Sequence, residues 1–222
     1  MKKEHLKIKQ IMERELSCSA HNIDHVMRVY DLCKTIATDE LNVDMDVLIP
    51  AVLLHDIARV KESEDKSGST DHALLGSEMA EQILQDLDFD SNNIEKIKHC
   101  ILAHRYRTGH TPESIEAKIL FDADKLDAIG AIGIARCFMI SGKSGQALRA
   151  IDDIEAYGRE NLSENGRIKD LSKHTPFMEY EFKLKKIPQK LYTESAKQIG
   201  QKRVEYMNEF FTRLETEMNG EI

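Results

Sequence analysis

Apolar residues recur at spacings of three and four along most of the chain, the period of an amphipathic helix. Leu6, Ile8, Ile11, Met12 and Leu16 fall on one side of an opening helix, and Asp24 to Thr38 repeats the pattern with Val26, Val29, Leu32, Cys33 and Ile36. His25 sits in the first turn of that second helix. The segment VLIPAVLLHDIA, Val47 to Ala58, is apolar on every side, which predicts a helix inside a core. Pro50 is expected near its first turn, where a missing N–H costs least. The polar run KESEDKSGST over 61–70 predicts a loop. Helical patterning resumes over His72–Leu87, Asn92–Arg105 and Ser114–Ile140. The last of these carries Gly130 and Gly133, so it is either two helices or one bent helix. Residues 141–175, rich in Gly, Ser, Asn and charge, predict loops with one short helix around Asp152 to Glu160. Thr193 to Met218 carries Ala196, Ile199, Val204, Met207, Phe210, Phe211 and Leu214, a long amphipathic helix packing back on the body. No stretch reads as a strand. The fold class expected is all-α, a single-domain helical bundle over 1–222 with a site-bearing core at about 20–140, a loop-rich insert at about 141–190 and a C-terminal helix at about 191–219.

At 222 residues the chain can bury one sizeable core. A net charge of -8 argues against nucleic acid as the main partner, because a phosphate backbone repels an acidic surface. A small phosphorylated substrate is not excluded, since a basic pocket can form locally. The cysteines, Cys18, Cys33, Cys100 and Cys137, are far apart with no CxxC pair, and buried reduced thiols are expected. No apolar run approaches the ~18 residues needed to span a bilayer. The N-terminal MKKEHLKIKQIMERELS lacks the apolar stretch of a secretory signal. No membrane partner and a cytoplasmic location are therefore expected.

Candidate chemistry begins where a fully apolar helix ends in His55-Asp56. A buried carboxylate without a partner costs several kcal/mol, so Asp56 requires a cation or strong donors. A divalent ion supplies that and also takes a neutral imidazole nitrogen. A doublet simply emerging into solvent is the plainer explanation if it stands alone. His25, beside Val26 and Val29, adds a second inward imidazole. FDADKLDAIGAIGIAR then interrupts an apolar helix with Asp122, Asp124 and Asp127, of which Asp124 and Asp127 share a face. HCILAHRYR places His99, His104, Arg105 and Arg107 near one helix end, a concentration of donors for phosphate oxygens.

In these motifs the chain resembles the HD-domain superfamily of metal-dependent phosphohydrolases: His25 in HNIDHVMRV, His55-Asp56 in AVLLHDIARVK, and Asp124 in LFDADKLDAIG. The resemblance is strong over about residues 20 to 140, and the C-terminal segment looks like that of a compact bacterial and archaeal branch. It implies an all-helical bundle with His25, His55, Asp56 and Asp124 around one divalent ion, Asp127 supporting from behind through Arg136 or a histidine. The mixed nitrogen and oxygen set suits manganese, iron, cobalt, nickel or magnesium better than a closed zinc site. One metal is the better expectation, because the matching region has no His-His doublet.

The activity implied is hydrolysis of a phosphoester or phosphoanhydride, in a nucleotide or related small molecule, by in-line attack of a metal-activated water. Arg28, Lys61, His104, Arg105 and Lys125 are candidates to neutralise the phosphoryl oxygens. His72 is a candidate acid, base or second-metal ligand. The alternative is a catalytically weak metal-binding module with a signalling or scaffold role. The sequence departs from several branches by placing Arg59, not an acid, three positions after the doublet, which leaves Glu62 or Asp71 as substitutes. SGKSG at 141–145 lacks the spacing and preceding strand of a phosphate loop.

Overall fold

The computed structural model describes residues 2–16, 23–105, 109–148, 154–163 and 168–221. Among them the fold is all-α: α1 (Lys3–Glu15), α2 (Ile23–Ala37), α3 (Met45–Leu54), α4 (Arg59–Glu64), α5 (His72–Asp86), α6 (Ser91–Ala103), α7 (Ile115–Asp127), α8 (Gly130–Lys143), α9 (Ile154–Asn161), α10 (Pro176–Phe182) and α11 (Glu194–Met218). Short 3-10 stretches at Leu171–Lys173 and Leu184–Lys190 complete it. Contacts divide the chain into two compact units, 1–124 and 125–222, with the boundary inside α7. Among the described residues no helix is long and apolar enough to cross a membrane.

In the first unit α3 is the centre, packed by α1, α2 and α6, with α5 laid on α6. Asp44 caps α3 by accepting from the Asp46 N–H at 2.9 Å, and Val47, Leu48 and Pro50 to Leu54 are buried. This cap starts the helix at Met45, so Pro50 lies in the second turn and not the first, as the apolar run alone implied. The Glu116 carboxylate on α7 accepts from the Asp44 N–H at 2.8 Å, tying the start of α7 to the start of α3.

The loop expected from Lys61 onward begins later. Arg59–Glu64 is a helix, stitched by an Arg59–Glu62 bond of 2.6 Å three residues apart. The chain then turns over Asp65, whose carboxylate gathers the N–H groups of Ser67, Ser69 and Thr70.

In the second unit α11 packs on α8 and on the 3-10 stretch before it. Phe138, Phe177, Tyr180, Phe210 and Phe211 form its aromatic core, Tyr180 stacked on Phe211 with centroids 4.7 Å apart. The glycines settle the question of one helix or two. Gly130 adopts φ of 78°, and a Cβ on Gly133 would lie 2.3 Å from the Ala128 carbonyl oxygen. The run therefore breaks after Asp127. The Arg203 guanidinium donates to the Leu126 carbonyl at 2.5 Å, satisfying a helix-end acceptor. Cys33 and Cys100 are buried free thiols and Cys137 is half-buried; Cys18 lies outside the described residues.

Candidate metal centre

The end of α3 is built to turn an imidazole inward. His55 is its C-cap residue, still helical in backbone, and its Nδ1 lies 2.7 Å from the Val52 carbonyl oxygen. A carbonyl only accepts, so the ring proton sits on Nδ1 and Nε2 presents a bare lone pair. The end of α6 repeats the device. His104 is its C-cap, with Nδ1 2.5 Å from the Ile101 carbonyl, again three residues back. Both rings satisfy an otherwise orphaned helix-end carbonyl while aiming Nε2 the other way.

Between these two ends lies Asp56, 3% exposed. Its two oxygens face different partners. Oδ2 lies 3.6 Å from His25 Nε2 and 3.9 Å from His55 Nε2. Oδ1 lies 3.4 Å from His72 Nε2 and 3.7 Å from His104 Nε2. Asp124 Oδ1 adds a contact of 3.4 Å to His25 Nε2, and the His25 and His55 Nε2 atoms are themselves 3.4 Å apart. Two trios, His25/His55/Asp56 and Asp56/His72/His104, each hold their donor atoms within 4.8 Å of one another.

Burial sets the charge states. It pushes the His55 pKa down from 6.5 to about 4, so the ring is neutral at pH 7. His72 is lowered by burial and by the Arg59 guanidinium. Burial pushes the Asp56 carboxyl up, but the neighbouring imidazoles and Arg59 outweigh it and hold the group well below the usual range. Neutral imidazoles and an ionised carboxylate are the protonation states a cation needs. Donors bonded at about 2.1 Å to a common ion sit about 3–3.4 Å apart, close to the separations here. His55 Nε2, His104 Nε2 and the Asp56 oxygens are all acceptors facing a common space, so the residues present fit divalent cations.

Around this cluster stands a charged frame. Glu62 Oε2 lies 2.6 Å from Arg59 Nη1 and 2.9 Å from His72 Nδ1, and Glu62 Oε1 accepts from Arg105 Nη1 at 2.9 Å. Arg105 also donates to Asp71 at 2.6 Å, while Asp71 caps α5 through the Ala73 and Leu74 N–H groups. Burial raises the Glu62 pKa, but the His72 bond and the two arginines bring it down to about 2. The Arg59 Nε, buried without a hydrogen-bond partner among the described residues, faces Asp56 Oδ2 at 3.9 Å.

The four residues of the sequence motif, His25, His55, Asp56 and Asp124, come together. His104 and His72 join them around the other oxygen of Asp56. Arg28 is half-buried, one turn after His25 on α2, Lys61 is exposed on α4, and Lys125 is half-buried on α7 as the first residue of the second unit. Arg107 lies outside the described residues. His99 Nε2 accepts from the Glu113 N–H at 3.1 Å. Asp127, 1% exposed, accepts from Arg136 at 3.1 Å within the second unit. The sequence offers His72 as a candidate second-metal ligand and His104 as a phosphate donor, but no motif joins the two to Asp56 as the geometry does. The faint signal is an inward histidine at each end: His72 opening α5, His104 closing α6.

The helical fold and the buried His/Asp array define the class of metal-dependent HD hydrolases. The chain belongs to the HD-domain family, whose model matches residues 22–129. It is 30% identical over 206 residues to YpgQ of Bacillus subtilis, covering 91% of this chain and 86% of that one. The structure of YpgQ in complex with ADP aligns at a TM-score of 0.72 and 26% identity, covering 97% of this chain and 95% of that one. An HD-superfamily hydrolase from Bacillus thuringiensis aligns at 0.68 and 26% identity, covering 98% and 95%. The 3'-5' exoribonuclease YhaM of Bacillus subtilis is 33% identical over 116 residues, but these are 47% of this chain and only 37% of YhaM.

Proposed function

We propose that this protein is a metal-dependent phosphohydrolase that cleaves a phosphoanhydride or phosphoester bond in a nucleotide or related small molecule. The observation that carries the reading is Asp56, buried between two sets of imidazole nitrogens, one set facing each oxygen. Divalent cations bound there would lower the pKa of water and polarise a phosphoryl oxygen. His25, His55, Asp56 and Asp124 would hold one ion, and Asp56, His72 and His104 a second. The division of Asp56 favours two ions over the single one expected from the sequence. The donor set suits manganese, iron, cobalt, nickel or magnesium.

In this reading His104 moves from phosphate donor to cation ligand. Its Nδ1 is committed to the Ile101 carbonyl, which leaves Nε2, the atom that faces Asp56 and His72, as the ligand atom. Arg28, Lys61 and Lys125 are then the side chains assigned to the phosphoryl oxygens. ADP in the YpgQ structure supports the nucleotide half of the proposal.

The test is metal analysis coupled to turnover. Manganese-loaded protein is offered nucleoside mono-, di- and triphosphates and a short RNA, with phosphate and pyrophosphate release measured separately. The expected result is bound metal and hydrolysis of a nucleotide, both lost in Asp56→Ala. Equal metal and equal product from wild type and variant would overturn the proposal. Cleavage of the RNA alone would favour the YhaM-like reading, which the net charge of -8 opposes.

A further inference from the structure

His72 differs from the two helix-end histidines in what holds its ring. Its Nδ1 has two neighbours at 2.9 Å, Arg59 Nη1 and Glu62 Oε2. These demand opposite tautomers. If Arg59 donated into Nδ1, the ring proton would move to Nε2, pointing at Asp56 and His104. The Nδ1 contact with Glu62 would then place two acceptors 2.9 Å apart with no proton between them. If Nδ1 carries the proton, it donates to Glu62 Oε2, and Arg59 donates to the same oxygen at 2.6 Å. The 2.9 Å approach of Arg59 Nη1 to Nδ1 is then that of two donors converging on one acceptor, which leaves Nε2 facing Asp56 and His104 without a proton.

We infer that Glu62 is a positioning residue that fixes the tautomer of His72, so that Nε2 faces Asp56 and His104 as a bare lone pair. The inference rests on the two-cation reading above for its consequence, though not for its geometry. Glu62 is in turn held in place. Arg105 bonds its other oxygen and bridges to Asp71, the cap of the helix that His72 opens. The frame thus fixes ring and backbone of His72 from one carboxylate and one guanidinium. Because Arg59 occupies the third position after the doublet, it serves as a brace for Glu62, which one turn of α4 brings to the same face. A carboxylate behind an imidazole both orients the ring and makes its far nitrogen a stronger donor to metal.

The experiment reads the tautomer directly. Metal-free protein labelled with 15N-histidine gives two-bond correlations that distinguish the two ring forms, the His72 signal being identified by its loss in His72→Gln. Wild type is expected in the Nδ1–H form. Glu62→Ala is expected to shift His72 to the Nε2–H form and weaken the second equivalent of manganese by about 10- to 100-fold, leaving the first unchanged. Glu62→Gln, whose amide oxygen can still accept from Nδ1–H, is expected to restore the tautomer and most of the second binding step. An Nε2–H form in wild type, or an unchanged Nδ1–H form in Glu62→Ala, overturns the inference; the wild-type spectrum decides it even if the alanine variant does not fold. A tautomer that shifts as expected in a protein taking up only one equivalent of metal would sustain the role of Glu62 and sink the two-cation reading.

Discussion

Each unit of this protein contains a buried cluster of imidazole and carboxylate groups, and the two are wired in opposite ways. In the second unit every gap holds a proton. Asn161 Nδ2 donates to the Tyr157 hydroxyl at 2.8 Å, which donates to His174 Nδ1 at 2.6 Å. His174 Nε2–H then donates to Glu179 at 3.0 Å, and Lys183 donates to the other Glu179 oxygen at 2.5 Å. Donor meets acceptor at each step, so the chain is complete in itself. In the first unit the helix-end carbonyls take the Nδ1 side of His55 and His104, and the Asp56 oxygens face imidazole Nε2 atoms at 3.4–3.9 Å, with the Arg59 Nε–H no nearer than 3.9 Å. Burial makes that arrangement costly unless positive charge fills the space. A self-satisfied network is structural, whereas one that converges imidazole nitrogens on a buried carboxylate at these separations suits a cation.

Removing the shared carboxylate should break the comparison hardest. Asp56→Ala is expected to abolish metal uptake and cut turnover by more than the about 10- to 100-fold that follows loss of a supporting partner, as read by elemental analysis and nucleotide hydrolysis. Acid comes next. The unfolded chain protonates His55 near pH 6.5, while the folded metal-free chain resists until about pH 4. Stability should therefore fall as the pH drops through that window, by at most about 3 kcal/mol, visible in urea midpoints. Bound metal should deepen the acid sensitivity, since protons compete for the same nitrogens.

Tyr157→Phe tests the other cluster. It leaves Asn161 and His174 without their shared partner and is expected to cost about 1–3 kcal/mol in unfolding free energy, with metal content unchanged. A loss of metal in that variant would mean that the two clusters are coupled. The smallest effect should come from Lys183→Ala at the solvent end of the chain. Lys183 is 62% exposed, and its pair with Glu179 is expected to contribute below about 1 kcal/mol, less still at high salt.

The sequence discloses the first unit better than the second, for physical reasons. Helices with strong apolar periodicity, such as α2, α5 and α11, are visible because one stripe must be buried. The His55-Asp56 doublet is visible because it ends a segment with no polar face. Helix α4 is not, since Arg59–Glu64 has no buried residue and is held by a side-chain bond within itself. The Tyr157–His174 pair is hidden by the irregular stretch between its members, where local pattern says nothing of which side chains will meet. The tautomers of His55 and His104 depend on carbonyls three residues back, a relation that emerges only once both are seen to be terminal residues.

Because those two rings are hung from helix ends, the lengths of α3 and α6 act as rulers for the cavity between them. A residue inserted in either helix would swing its histidine by about 100° around the axis and carry it off the common point. The turn over 65–70, by contrast, sits beyond Glu62 and before Asp71 and can lengthen without moving either ruler. Among descendants of this chain, insertions and deletions should therefore collect in that turn and spare the two helices.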